Sequence, residues 1–240
     1  DAGSALGAAL WVWHKYLGKE RKSAATLDRQ MGSYLGTSYP DTAIEQFLQS
    51  RNLPFSHLKG ESLFSEVAAK IAEGNVVGWF DGKMEFGPRA LGSRSILGDA
   101  RSRDMQSTMN LKIKYRESFR PFAPAVLYEG MSDWFQVEGT DKSRNDFSSP
   151  YMLMTVAVHP SKLKNDASDL KGLNRVKAVR SEIPAVTHVD DSARIQTVHE
   201  ELNPNFYKLI KKFKDMTGCP VIINTSFNVR GEPIVESPEE

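Results

Sequence analysis

Three observations predict a mixed α/β or α+β fold for this chain of 240 residues. Asn203–Thr217 has the apolar spacing of an amphipathic helix. It leads directly into Val221-Ile222-Ile223, a short apolar run of the length expected for a buried strand. Further strand-like runs at Asn75–Phe80 and Ala123–Leu127 lie among helix-like segments, without a regular βαβ period, so the choice between α/β and α+β stays open.

In chain order, Ser4–Leu17 carries small and bulky apolar residues at helical spacing, stops before Gly18, and is apolar enough to need a partner surface. Lys19–Gln30 is charged and reads as a linker. Asp41, preceded by Pro40, is the expected N-cap of a helix reaching about Arg51. Ser62 is the expected cap of a helix over Leu63–Glu73, closed by Gly74. The Asn75–Phe80 strand enters a glycine-rich loop, and Ala123–Leu127 and Met152–Val158 are the next strands expected. Asp141–Ser149 and Lys162–Lys177 are polar and read as surface loops. The chain opens inside a helix-like segment and ends on Ser237-Pro238-Glu239-Glu240, which has the signature of a helix start; sequence beyond both ends is expected.

The composition, 40% hydrophobic and 25% charged, is ordinary for a globular protein. A net charge of +1 provides no global attraction to nucleic acid or an anionic membrane. The one cysteine, Cys219, leaves no intramolecular disulfide and no Cys-rich zinc site, consistent with the reducing cytoplasm expected for this chain. No apolar run approaches the ~20 residues needed to span a bilayer, and the N-terminal stretch lacks the pattern of a secretory signal.

Local chemistry is more specific. The run Val221-Ile-Ile-Asn-Thr-Ser-Phe-Asn-Val-Arg-Gly-Glu-Pro233 carries a strand into a polar turn bearing Ser226, Asn228 and Arg230. In extended backbone these three share one face, a hydroxyl, an amide and a guanidinium suited to a phosphate or nucleotide. The loop Glu85-Phe-Gly-Pro-Arg-Ala-Leu-Gly-Ser-Arg94 offers Gly87 and Gly92 for close backbone approach, with Arg89 and Arg94 to clamp anionic oxygens. It lacks the spacing of a Walker A loop. Lys112, Lys114 and Arg116 would share one face if extended. Phe86–Phe122 holds eight Lys or Arg against three Asp or Glu, a local surplus that calls for an anionic ligand. No nucleic-acid-binding module is recognisable, which favours a small polyanion. In Pro184–Arg194, His188 is a candidate acid, base or binding group and Arg194 a further cation, whereas Asp190 and Asp191 are either Mg²⁺ ligands or turn formers.

Taken together, Gly78–Leu97, Lys112–Leu127, Pro184–Val198 and Asn224–Pro233 resemble the C-terminal region of the O-carbamoyltransferases that modify nodulation factors and antibiotics. The resemblance runs from about Leu35 to the end of the chain. It implies a YrdC-like twisted mixed sheet over residues 35–240, with Lys114-Tyr-Arg116 and Ser226-Phe-Asn228 matching the hallmark of that fold. Residues 1–34 resemble the last helix and linker of the family's other domain, a Kae1-like domain of the actin/Hsp70 type. In that domain the aspartate matching Asp1 helps to bind iron, together with two histidines that this sequence does not contain.

By resemblance, the expected activity is formation of carbamoyl-AMP from carbamoyl phosphate and Mg-ATP, followed by transfer to an acceptor hydroxyl in the Kae1-like domain. The expected catalytic residues are Arg89, Lys114, Arg194 and Arg230, with Gly87, Arg94, Arg116, His188, Ser226 and Asn228 binding substrate or nucleotide. Expected cofactors are ATP and Mg²⁺, with iron in the other domain only. Carbamoyl phosphate, ATP and the acceptor are the expected partners; homodimerisation is left open, and neither membrane nor nucleic acid is expected. The alternatives are a non-catalytic nucleotide- or RNA-binding module and a threonylcarbamoyl-AMP synthase.

Overall fold

A computed structural model describes residues 3–22, 29–137, 147–164 and 172–240. The main sheet is built from β1 (Val77–Phe80), β2 (Arg94–Asp99), β3 (Ala123–Leu127), β7 (Gln196–Val198) and β8 (Val221–Ser226). Its order is β1-β2-β8-β3-β7, antiparallel throughout except for the parallel β3–β7 edge. The mixed pairing settles the fold as α+β. A smaller antiparallel sheet joins β4 (Phe135–Gln136), β5 (Thr155–Val158) and β6 (Ser192–Arg194).

The apolar run of β8 explains the centre of the sheet. Val221, Ile222 and Ile223 are fully buried between β2 and β3, two strands that are themselves buried along their whole length. One layer of helices includes α3 (Glu61–Ala72) and α7 (Pro204–Thr217), which pack on each other. Helix α7 begins where the Asn203 side chain accepts the amide of Phe206, with Pro204 in the first turn, and ends at Gly218 in the left-handed region. Phe206, Leu209, Ile210 and Phe213 form its buried stripe, each contributing about 1.5–3 kcal/mol of burial. Phe206 sits against Gly92, where an added Cβ would come within 2.2 Å of its ring.

Ala123–Leu127 forms a strand as expected, and β1 occupies most of its expected range. Several boundaries differ. Asp41 is the first residue of α2 (Asp41–Ser50), with Pro40 in the capping position. Ser62 lies inside α3, whose cap is Gly60, and its hydroxyl donates to the Lys59 carbonyl instead of capping. The first helix, α1 (Ser4–Trp11), continues as a wider π-helical turn to Tyr16. β5 starts at Thr155, because Met152 adopts a positive φ of 55° that ends any extended run before it.

Ser149 is not in a surface loop. It is buried, donating its hydroxyl to the Ile195 carbonyl at 3.0 Å. Lys162–Lys177 contains the short helix α6 (Gly172–Lys177), and residues 165–171 lie outside the described residues. The same holds for 23–28 of the linker and 141–146 of the other polar stretch. α4 (Met105–Lys112) and α5 (Met131–Trp134), like β2, β4, β6 and β7, were not anticipated from the sequence. Among the described residues, no helix is long and apolar enough to cross a membrane.

Candidate active site

The chemistry-bearing loops gather at one end of the main sheet. The antiparallel register brings the C-terminal ends of β1 and β8 beside the N-terminal ends of β2 and β3, and the parallel β3–β7 pair adds the start of β7. A cleft of about 300 Å³ opens there, lined among others by Lys114, Arg116, Arg120, Ser226, Asn228 and Arg230.

Lys114 is the centre of this cleft. Its ammonium lies 2.6 Å from the Ser226 carbonyl, 3.2 Å from the Ser226 hydroxyl, 3.0 Å from the Asn228 carbonyl and 2.8 Å from the Asn228 amide oxygen. Four acceptors surround a group with three donors, so the cation ties the end of β8 to its own segment. Burial, reinforced by the like charge of Arg116, pushes the Lys114 amine down to about 8. The Ser226 hydroxyl donates to Asn228 Oδ1 at 2.6 Å, and Asn228 Nδ2 donates to the Glu232 carbonyl at 2.8 Å.

Neither predicted extended face exists. Lys112 closes α4, the amides of Ile113 and Lys114 both return to the Met109 carbonyl, and Tyr115 turns the chain with a φ of 46°. Lys112 does not line the cleft, whereas Lys114 and Arg116 do. Arg116 is held by its Nε donating to Asn110 Oδ1 at 2.6 Å and by stacking 4.8 Å from the Phe122 ring centroid. Beyond Ser226 the chain also turns, since the Asn228 amide donates to the Ser226 carbonyl. Arg230 still reaches the cleft, with Nη1 on the Tyr115 carbonyl at 3.0 Å. Lys114, Arg116, Arg120 and Arg230 share the lining with one carboxylate, Glu117, which pairs with Arg120 at 3.0 Å.

Arg89 and Arg194 form a second cationic group at this end of the sheet. Among the described residues neither guanidinium has a hydrogen-bond or ion-pair partner, and the buried Arg89 Nε is unsatisfied. Burial first, and the like charge of Arg89 second, pull Arg194 below the ordinary guanidinium value. Two adjacent uncompensated cations make an anion-binding arrangement. Gly87, with a φ of 138°, gives the Arg89 loop a turn that an L side chain would strain. Gly87 and Arg89 also line a larger cavity of about 1070 Å³ that includes residues of α1.

Arg94, two positions beyond Gly92, is a different case. It is fully buried, donates to the carbonyls of Asp81, Gly82, Ser93 and Thr37, and lies 3.5 Å from the Phe80 ring centroid. It braces the loop from inside and presents no exposed face, unlike the clamp on anionic oxygens expected of it.

His188 is half-buried. Its Nδ1 lies 3.1 Å from the Ser192 hydroxyl, and that hydroxyl donates its proton to Asp190 at 2.6 Å. Desolvation outweighs Asp190 and holds the imidazole below its usual value. Asp191 turns the chain at a φ of 63° and ion-pairs with Arg175 and Arg180 at 3.2 and 3.3 Å. Both aspartates are therefore engaged as turn-stabilising groups, and among the described residues no cluster of three His, Cys, Asp or Glu could hold a metal. Asp1 lies outside the described residues.

Sequence reasoning passed over Arg120, Thr225 and Asn110. Arg120 was visible in the local basic surplus, but Asn110 acts only through contacts with Arg116, Ser118 and Arg120 that no local pattern announces.

A family described as "Carbamoyltransferase C-terminus" matches residues 68–240, covering the cationic loops and β8. An uncharacterized protein of Synechocystis sp. is 51% identical over all of this chain and 38% of its own length. Nodulation protein NolO of Bradyrhizobium diazoefficiens is 38% identical over 99% of this chain and 38% of its own length. The 3'-hydroxymethylcephem-O-carbamoyltransferase of Amycolatopsis lactamdurans is 31% identical over 98% of this chain and 37% of its own length. The chain thus spans little more than a third of the length of each of these three relatives.

Proposed function

Since this chain belongs to the carbamoyltransferase C-terminus family, we propose that it forms carbamoyl-AMP from carbamoyl phosphate and Mg-ATP, for transfer to an acceptor hydroxyl elsewhere in a longer protein. The observation that carries this reading is the set of weakly compensated cations at one end of the sheet, Lys114, Arg116 and Arg230 in the cleft with Arg89 and Arg194 nearby. A reaction between two phosphate-bearing substrates concentrates negative charge, and preorganised cations stabilise the charge that develops in the transition state.

Carbamoyl phosphate first loses its phosphate to water, leaving carbamate. A carbamate oxygen then attacks the α-phosphorus of ATP, and pyrophosphate departs with the electron pair of the broken P–O bond. Lys114, Arg89 and Arg230 are assigned to phosphate and carbamoyl oxygens, with Arg194 and Arg116 supporting them. Ser226 and Asn228 hold the nucleotide or the carbamoyl amide. Mg²⁺ enters as part of the substrate Mg-ATP, because Asp190 and Asp191 are already engaged by Ser192 and by Arg175 and Arg180.

Residues 1–34 are read as the end of a preceding Kae1-like transferase domain, with any iron held there. The exposed Leu6, Leu10, Trp11, Trp13 and Leu17 of this segment support that reading, since so much apolar surface calls for a covering partner.

The experiment is pyrophosphate release from Mg-ATP with and without carbamoyl phosphate. Release that depends on carbamoyl phosphate and disappears in Lys114→Ala is expected. Nucleotide binding with no turnover in the longer protein would overturn the adenylation step in favour of a binding module.

A further inference from the structure

We infer that Glu85 is a positioning residue, whose buried carboxylate closes the loop presenting Arg89 and sets where that guanidinium meets its anion. The inference rests on the assignment of Arg89 to an oxygen of carbamoyl phosphate.

The loop between β1 and β2 begins as a tight pair, with the Asp81 amide donating to the Ser93 carbonyl at 2.9 Å. Between these residues the chain leaves the sheet, and Glu85 fastens it back. One carboxylate oxygen, Oε1, accepts the amides of Leu91 at 2.6 Å, Ser93 at 2.8 Å and Arg94 at 3.3 Å. Glu85 is itself buried, 5% exposed, so these bonds are not exchanged for water. The bridge from residue 85 to residue 91 leaves Phe86–Ala90 as a closed excursion with Arg89 near its end.

The far side of the excursion is fastened separately. Tyr34 and Gln196 both donate to the Leu91 carbonyl at 2.7 Å, and Asn224 donates to the Ala90 carbonyl at 3.1 Å. Trp79 and Asn203 donate to the Gly92 carbonyl at 3.0 and 3.1 Å. These bonds hold carbonyls, whereas Glu85 alone takes the amides of Leu91 and Ser93. The Phe86 amide stays on the Ser33 carbonyl at 2.7 Å, so losing them would free Gly87-Pro88 and the Arg89 backbone that follows. Arg89 needs that support, because its guanidinium has no partner among the described residues and is repelled by the like charge of Arg194. Without an imposed backbone position, repulsion would swing it outward.

The test combines hydrogen exchange with a kinetic double-mutant cycle in the full-length protein. Glu85→Gln is used because it keeps the side-chain size and an oxygen at the Oε1 position but removes the negative charge, which weakens all three bonds, where a shorter side chain risks misfolding. Exchange of the Leu91 and Ser93 amides should accelerate about tenfold in Glu85→Gln, while the melting temperature moves little. The KM for carbamoyl phosphate should rise about tenfold with kcat nearly unchanged, and by about 10²-fold in Arg89→Ala. In the Arg89→Ala background, Glu85→Gln should add nothing further, since it acts through Arg89. Unchanged exchange, or a Glu85→Gln effect that adds to that of Arg89→Ala, would overturn the inference. An unaltered KM in Arg89→Ala would instead overturn the assignment of Arg89 to carbamoyl phosphate, a result distinguishable from additivity.

Discussion

The Lys114 ammonium donates to the Asn228 side-chain oxygen at 2.8 Å, joining two positions 114 residues apart in the chain. This bond makes one site of two separate basic motifs, the exit of α4 and the segment after β8. It makes Lys114 a brace, and under the proposed function a binding group as well, and the predictions for it follow from that double role.

Replacing Lys114 with methionine should lower carbamoyl-phosphate-dependent pyrophosphate release by about 10²–10³-fold, as for other preorganised transition-state donors. The Ser226 and Asn228 carbonyls lose their buried cation at the same time. Activity should fall while the far-UV circular dichroism of the sheet is retained. A variant with undiminished release would remove Lys114 from the chemistry.

Lys114 also sets a pH dependence. Its folded value, about 8, lies below the ordinary 10.5, so between those values the folded state binds fewer protons than the unfolded state. Stability relative to Lys114→Met should therefore be lowest below pH 8 and should rise as pH climbs toward 10.5. Anion binding runs the other way, weakening as pH passes about 8 and the charge is lost. Chemical denaturation and ATP titrations across pH 6.5–9.5 (roughly one and a half pH units either side of the transition,) would register the two opposite trends. Parallel trends would contradict the assignment.

Arg94→Met should act on stability. It removes the cation bonded to four backbone carbonyls and leaves buried acceptors unpaired, at a cost on the order of 3 kcal/mol. Urea denaturation should show this loss, and the KM for carbamoyl phosphate should change far less than in Arg89→Ala.

Gly92→Ala should destabilise for two reasons that reinforce each other. The residue has a φ of 107°, and a methyl group there would meet the Phe206 ring. Overpacking of this kind costs about 1–3 kcal/mol, read as a lower urea midpoint with an unchanged slope. A midpoint equal to that of the wild type would show that the Phe206 ring yields freely.

Much of this architecture was legible locally. The runs Ala123–Leu127 and Val221–Ile223 are apolar enough to announce buried strands, and Asn203-Pro204 marks the start of α7. β2 was missed because its sequence, Arg-Ser-Ile-Leu-Gly-Asp, places polar residues at positions buried by neighbours distant in the chain. The extended faces expected for Lys112–Arg116 and Ser226–Arg230 failed for a related reason. Both segments leave regular structure at those residues, and tertiary bonds, not strand periodicity, aim their side chains.

By itself the sequence determined that the chain carries cations in a few short motifs, that apolar runs would bury a sheet beside them, and that the motifs together resemble those of carbamoyltransferases. Tertiary structure decided which of those cations remain free. Arg89 and Arg94 stand five positions apart in one motif, the first expected to be catalytic and the second to bind substrate or nucleotide. Only the packing of β1, β2 and the residues near Thr37 surrounds Arg94 with carbonyls, and it leaves Arg89 without a partner among the described residues, facing Arg194. Whether a cation is walled in, as Arg94 is, or still lines an open cleft, as Lys114 does, depends on segments far along the chain that no local motif contains.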